Sequence, residues 1–106
     1  MINRTYIKDL KDFVGKEAII AGWVDVRRDQ GKLVFMDMRD MTGKVQGVIL
    51  PSHTEAMDQV KEVRTEWVLK VTGMVNKRPD KNIKEGVLNG DIELEITAIE
   101  ILNAAA

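Results

Sequence analysis

Cysteine is absent from the chain and histidine occurs once, which excludes disulfide frameworks, thiolate metal sites, cysteine nucleophiles and histidine clusters. Long apolar runs are missing as well. No segment approaches the roughly 18 residues of a membrane span, and MINRTYIKDLK carries no apolar signal-peptide stretch. A cytoplasmic protein without a membrane partner is therefore expected. Net charge is nearly absent too: 16 basic against 17 acidic residues leave −1, which argues against wrapping duplex nucleic acid through bulk charge. The charge that is present clusters. Arg27, Arg28 and Lys32 surround one turn, and Lys77, Arg78, Lys81 and Lys84 follow one later loop, so a basic groove can exist on a neutral domain. By themselves these cations would read as solvated loop charges.

With 106 residues, 44% of them hydrophobic, the chain has material for one core and one domain. Ile7, Leu10 and Val14 recur at helical spacing before Gly15, predicting a short opening helix. From Glu17 the period becomes two. Ala18, Ile20, Gly22, Val24 and Val26 form one face of a first strand, with Ile19, Ala21, Trp23, Asp25 and Arg27 on the other, ending at the turn Asp29-Gln30-Gly31. A second strand from Lys32 to Arg39 and a third from Lys44 to Leu50 flank the turn Asp40-Met41-Thr42-Gly43. Pro51 ends the third. Ser52 with Glu55 predicts a capping box for a helix burying Ala56, Met57, Val60 and Val63. Trp67, Leu69, Val71, Gly73 and Val75 define the inner face of a fourth strand, and Ile92, Leu94 and Ile96 that of a fifth. Ile99 and Ile101 have the opposite parity, so a bulge is expected near Thr97 or Ala98. The order predicts an all-β, five-stranded OB-fold barrel with a short N-terminal helix and a helix between strands 3 and 4. Such a fold supplies a binding face and names no ligand.

The informative stretch is Gly22 to Leu50, GWVDVRRDQGKLVFMDMRDMTGKVQGVIL. Alternation puts Val34, Met36 and Met38 inside, leaving Phe35 outside with Asp37 and Arg39, and it puts Gln46 outside on the next strand. A one-residue slip would bury Asp37 and Arg39 and expose three apolar side chains, so Phe35 is not read as a core ring. An exposed ring beside an amide on paired strands suits an unstacked base.

The remaining candidates read as structural. Trp23 is assigned to packing under the opening helix, Trp67 to the core, and His53 to a surface position at a helix start. Asp37, Arg39 and Asp40 read as an ion-pair network near a turn, because no histidine or second carboxylate pair completes a site. Asp91 and Glu95 read as a solvated strand face.

GWVDVRRDQGKLVFMDMRD, TGKVQGVIL, VTGMVNKRP, KNIKEGVLNGDIELE and EILN, in this order from about Arg4 to Asn103, resemble the N-terminal anticodon-binding domain of bacterial-type aspartyl-tRNA synthetases. The resemblance implies that Phe35 stacks on the central uridine of a GUC anticodon, with Gln46 and Arg28 bonding that base's edge. It directs Asn82 and Glu93, with Arg78 nearby, at the flanking bases, and makes Arg27 part of the RNA-binding set. Asp25 and Val26 depart from the family, where an Asn or His and a further Arg commonly precede the two arginines. Domain 1–103 is thus expected to be the recognition module. Ala104, Ala105 and Ala106, unlike the family's hinge, are expected to be an appended remnant. No catalysis, cofactor or metal is expected of this module, ATP and magnesium belonging to a catalytic domain elsewhere in a homodimeric parent, and the module itself should be a monomer binding aspartate tRNA. Three other readings remain open at this point: a sequence-tolerant single-strand binder, the same domain from an asparaginyl- or lysyl-tRNA synthetase, and a protein-binding OB scaffold.

Overall fold

The computed structural model describes residues 4–104. Among them, strands β1 (Glu17–Gln30), β2 (Leu33–Asp40), β3 (Gly43–Ile49), β4 (Val68–Lys77) and β5 (Ile92–Asn103) form a closed barrel in the order β1-β2-β3-β5-β4. The pairings are antiparallel except that of β3 with β5, which meet in parallel at Gly47 opposite Leu94 and Val48 opposite Glu95. A 3-10 helix, Ile7–Phe13, precedes β1, and helix α1 (Thr54–Gln59), continued by the 3-10 turn Val60–Glu62, lies between β3 and β4. This is the expected five-stranded OB-fold.

Inside the barrel the alternating set Ala18, Ile20 and Val24 meets Met36, Met38, Val45, Leu69, Val71, Leu94 and Ile96. Removing each large apolar side chain from water contributes about 1.5–3 kcal/mol. Ala56, Val60 and Val63 of the intervening helical segment and Ile7 and Leu10 of the opening one join the same core. Two expectations need correction here. The opening helix is the tighter 3-10 form, in which residues three apart eclipse; Ile7 and Leu10 are buried, Val14 is 46% exposed, and Phe13 packs on the core in its place. Gly15 still ends the segment, at φ +83°. The capping box does not form. Pro51 and Ser52 belong to a turn closed by the His53 amide donating to the Leu50 carbonyl, so the helix starts at Thr54 with His53 as N-cap and no side-chain capping bond.

β1 also departs from simple alternation. Val24 faces Met38 across the sheet while Val26 faces Asp37, leaving Asp25 as an extra residue that forms a bulge. Val26, expected in the core, is consequently 39% exposed, and Arg27, expected outside, turns to the inner side opposite Met36. The bulge expected in β5 is present, with Thr97 unpaired between Ile96 and Ala98 and its hydroxyl donating to the Thr72 carbonyl at 3.2 Å. It buries Ile99, whereas Ile101 stays exposed toward the end of the strand. Trp67 is half-buried against the core. Trp23 is half-buried as well, lining a hollow of about 340 Å³ with Tyr6, Met41 and Leu102 rather than lying under the opening helix. Of the expected tail, Ala104 is exposed and outside β5; Ala105 and Ala106 lie outside the described residues, as does the start of the N-terminal stretch read for a signal peptide.

Candidate nucleic-acid interface

The hairpin joining β1 to β2 turns at Gly31 and Lys32, with Gly31 at φ +60°, a conformation that favours glycine. Because the Asp25 bulge has flipped the parity, Arg28 lands opposite Phe35 on the outer surface. Its guanidinium carbon sits 5.2 Å from the ring centroid, a cation–π arrangement. The next pairing puts Phe35 opposite Val48, and Gln46 projects from the same surface opposite Asp37. Arg28 donates to the Gln46 side-chain carbonyl at 3.4 Å, so a ring, a cation and an amide converge on one patch across three strands. Phe35 is half-buried.

A second group extends the patch over β5. Glu95 lies opposite Val48 on one side and Met74 on the other, so Arg28, Phe35, Val48 and Glu95 form one row across the strands, in which Val48 is itself buried. His53 donates from Nε2 to Oε2 of Glu95 at 2.6 Å, and Asn76 donates to Oε1 at 2.9 Å. The hydrogen bond from His53, against a desolvation that alone would raise it, holds the Glu95 carboxyl below the usual carboxylate range, with the Asn76 bond adding to it. Sequence reasoning missed this cluster, taking Glu95 for a solvated charge and His53 for an idle helix start. Glu93 is half-buried opposite Asn76, and Asn82 is exposed in the 3-10 turn Asp80–Asn82 of the β4–β5 loop.

Two arginines of the expected RNA-binding set bond backbone carbonyls of this chain. Arg27 donates to the carbonyls of Val60 and Val63 at 2.7 and 2.6 Å and pairs with Asp29, tying the first hairpin to the segment after α1. Arg78 is only 7% exposed; its Nε donates to Ile92 O at 2.8 Å and an amino group to Asn82 O at 3.4 Å. Arg78 thus holds the loop that carries Asn82, while Lys77, Lys81 and Lys84 are the exposed cations there. Among the described residues Asp40 forms no ion pair. It accepts from the amides of Ile7, Thr42 and Gly43 and the Thr42 hydroxyl, whereas Arg39 pairs with Asp25 at 3.5 Å. Among the described residues no three acidic or histidine side chains are grouped to hold a metal, and no helix is long and apolar enough to cross a membrane.

Residues 18–102 match the tRNA anti-codon family, an OB-fold nucleic acid binding domain. The chain belongs to this family. Among curated relatives, the aspartate-tRNA(Asp/Asn) ligase of Natranaerobius thermophilus is 42% identical over 96 residues, covering 90% of this chain and 16% of its own length. The corresponding ligase of Thermosynechococcus vestitus is 44% identical over 91 residues, covering 85% and 15%. This OB-fold domain thus spans about a sixth of the length of the curated relatives it matches. Among solved structures, the asparaginyl-tRNA synthetase of Pyrococcus horikoshii superposes over 100% of this chain and 24% of its own, with TM-score 0.77 and 26% identity. The aspartyl tRNA synthetase of Entamoeba histolytica shares the fold, with TM-score 0.84 over 98% of this chain and 22% of its own at 23% identity. The likeness read from the sequence motifs to the aspartyl-tRNA synthetase domain agrees with these relatives.

Proposed function

We propose that this OB-fold domain reads the anticodon loop of aspartate tRNA, GUC, as the specificity arm of an aspartate-tRNA ligase. One observation carries the reading: Arg28, Phe35 and Gln46 meet on a single outer patch. A ring on a sheet face offers a sequence-tolerant platform for an unstacked base, and an amide beside it can accept from and donate to that base's edge. In the free protein Arg28 occupies the ring; a base stacking there takes over that face while the guanidinium moves to the base edge or a phosphate. Asn82 and Glu93, on loop and strand beyond the patch, face the flanking nucleotides. ATP, magnesium and the aminoacylation chemistry belong in this reading to the rest of a larger cytoplasmic, dimeric enzyme, and the domain alone binds RNA without a cofactor.

The names of the curated relatives favour a second, broader reading, in which asparagine tRNA is accepted as well. Its GUU anticodon differs from GUC only in the last base, so the choice would lie with residues facing that base, around Gln30 and Asn82.

A titration of the domain with a GUC stem-loop, its GUU and central-C variants and a scrambled loop tests both. Binding should favour GUC over scrambled and weaken with salt. Gln46→Ala should lose about 1–3 kcal/mol on GUC and far less on the central-C loop, narrowing the gap between them. An unchanged ratio of the two would remove Gln46 from base reading, and salt-independent or absent RNA binding would point to a protein ligand.

A further inference from the structure

We propose that Asn89 with Gly90, the pair that closes the β4–β5 loop, is a modification site: a deamidation point that the fold keeps shut and that is exposed when the loop opens. The proposal stands apart from the anticodon reading. Asn-Gly occurs once in the chain, and the other asparagines, Asn3, Asn76, Asn82 and Asn103, precede Arg4, Lys77, Ile83 and Ala104. A side chain on the following residue hinders attack of its backbone nitrogen on the asparagine amide, and glycine has none. Asn89 is therefore the most reactive asparagine of the unfolded chain.

The fold nevertheless demands this pair. A Cβ at position 90 would run into the Lys84 carbonyl oxygen, so only glycine fits. Asn89 has φ +59°, a conformation asparagine tolerates better than most residues. Its Nδ2 donates to the Ile7 carbonyl at 3.1 Å and to the Lys44 carbonyl at 3.0 Å. One amino group thus fastens the loop both to the opening 3-10 segment and to β3. Aspartate could not replace it, because an ionised carboxylate has no donor.

The same bonds hold the chemistry off. Asn89 is 5% exposed with its amino group committed twice, so Cγ cannot swing to the Gly90 nitrogen, whose own N–H donates to the Val87 carbonyl at 2.9 Å. Release requires little. From Lys81 to Leu88 every residue except the half-buried Ile83 is exposed, so opening the loop breaks few buried contacts. In the open loop the Gly90 nitrogen, its proton taken by a solvent base, bonds to Cγ of Asn89; a succinimide ring closes and ammonia leaves with a proton from water. Water then adds to either ring carbonyl and breaks that carbonyl's bond to nitrogen, leaving aspartate or isoaspartate. The balance is water in and ammonia out. Reclosing would set a carboxylate against the Ile7 and Lys44 carbonyls, at a place where Oδ1 of Asn89 already has no partner among the described residues. Each opening that reacts therefore undoes the clamp for good.

The test follows the full chain and a synthetic peptide of residues 84–93 at mildly alkaline pH, by mass-spectrometric peptide mapping and enzymatic labelling of isoaspartate. Asn89 is expected to convert in both, at least about tenfold more slowly in the folded chain, and ahead of the exposed Asn82. Arg78→Ala, which frees the loop at Ile92 and Asn82, should speed conversion several-fold. If that variant does not fold, the wild type in urea below its unfolding transition serves instead: its conversion rate should rise far less steeply than global unfolding does. Asn89→Asp, which installs the product, should melt below wild type. Equal rates in chain and peptide, earlier conversion at Asn82, a folded Arg78→Ala domain that converts no faster, or a rate that tracks unfolding of the whole domain would each overturn the gated site. An Asn89→Asp domain as stable as wild type would overturn the clamp.

Discussion

Phe35 carries two interactions that respond differently to its removal. The ring is half-buried, and Arg28 lies over it with its guanidinium carbon 5.2 Å from the centroid. Phe35→Ala should therefore weaken binding to loops of any central base by about 1–3 kcal/mol, the value of one base stacked on an aromatic. Stability should fall by only about 1 kcal/mol, since the lost cation–π contact is a partly exposed one. Titration and a thermal melt of the same variant check the pair; a large drop in melting temperature with unchanged affinity would make the ring a structural one.

At the scale of the strand, the decisive feature is the Asp25 bulge, and it also shows what the sequence made legible. The β5 bulge was readable because Ile96 and Ile99 cannot share a face without it. The β1 bulge was not, because Val24, Asp25 and Val26 continue a perfect alternation and nothing local signals an extra residue. Phe35 and Gln46 were placed correctly from parity alone, since β2 and β3 pair without interruption. Arg28 entered through family resemblance, and the bulge is what physically brings it to the ring. Arg27 and Arg78 look like loop cations in sequence; only the folded chain shows the backbone carbonyls they satisfy. The link from His53 to Glu95 joins positions 42 apart and has no sequence signature. The bulge makes a sharp prediction. Val26→Lys should change stability by no more than about 0.5 kcal/mol in denaturant unfolding, as at other exposed positions. Unfolding of the domain by this one change would mean that Val26 faces the core.

For the molecule as a whole, acid is the first expected stress. Partial burial of Asp40 would raise its carboxyl, but bonds from the Thr42 hydroxyl and the amides of Ile7, Thr42 and Gly43 outweigh it and lower the group; Glu95 is lowered as well. A carboxyl depressed in the folded state stabilises the fold above its unfolded value, near 4, and that contribution disappears as pH falls through the folded value. Stability should therefore be level at neutral pH and decline below about 4, with a shallower decline in Asp40→Asn, measured by urea unfolding across pH.

The barrel is also unevenly sewn. β4 and β5 pair from Val68 to Lys77, whereas β3 and β5 meet only around Gly47 and Val48. Gln46 of β3 stands on one side of that short seam, with Phe35 of β2 one strand beyond it, and Glu95 of β5 on the other. Nucleotides laid from the ring across β3 onto β5 would therefore act as a suture across the shortest of the barrel's pairings. Amide hydrogens of Gly47, Val48, Leu94 and Glu95 should exchange faster than those along β4 in the free domain and slow most when a GUC loop is added, so that reading an anticodon and locking the barrel become one event.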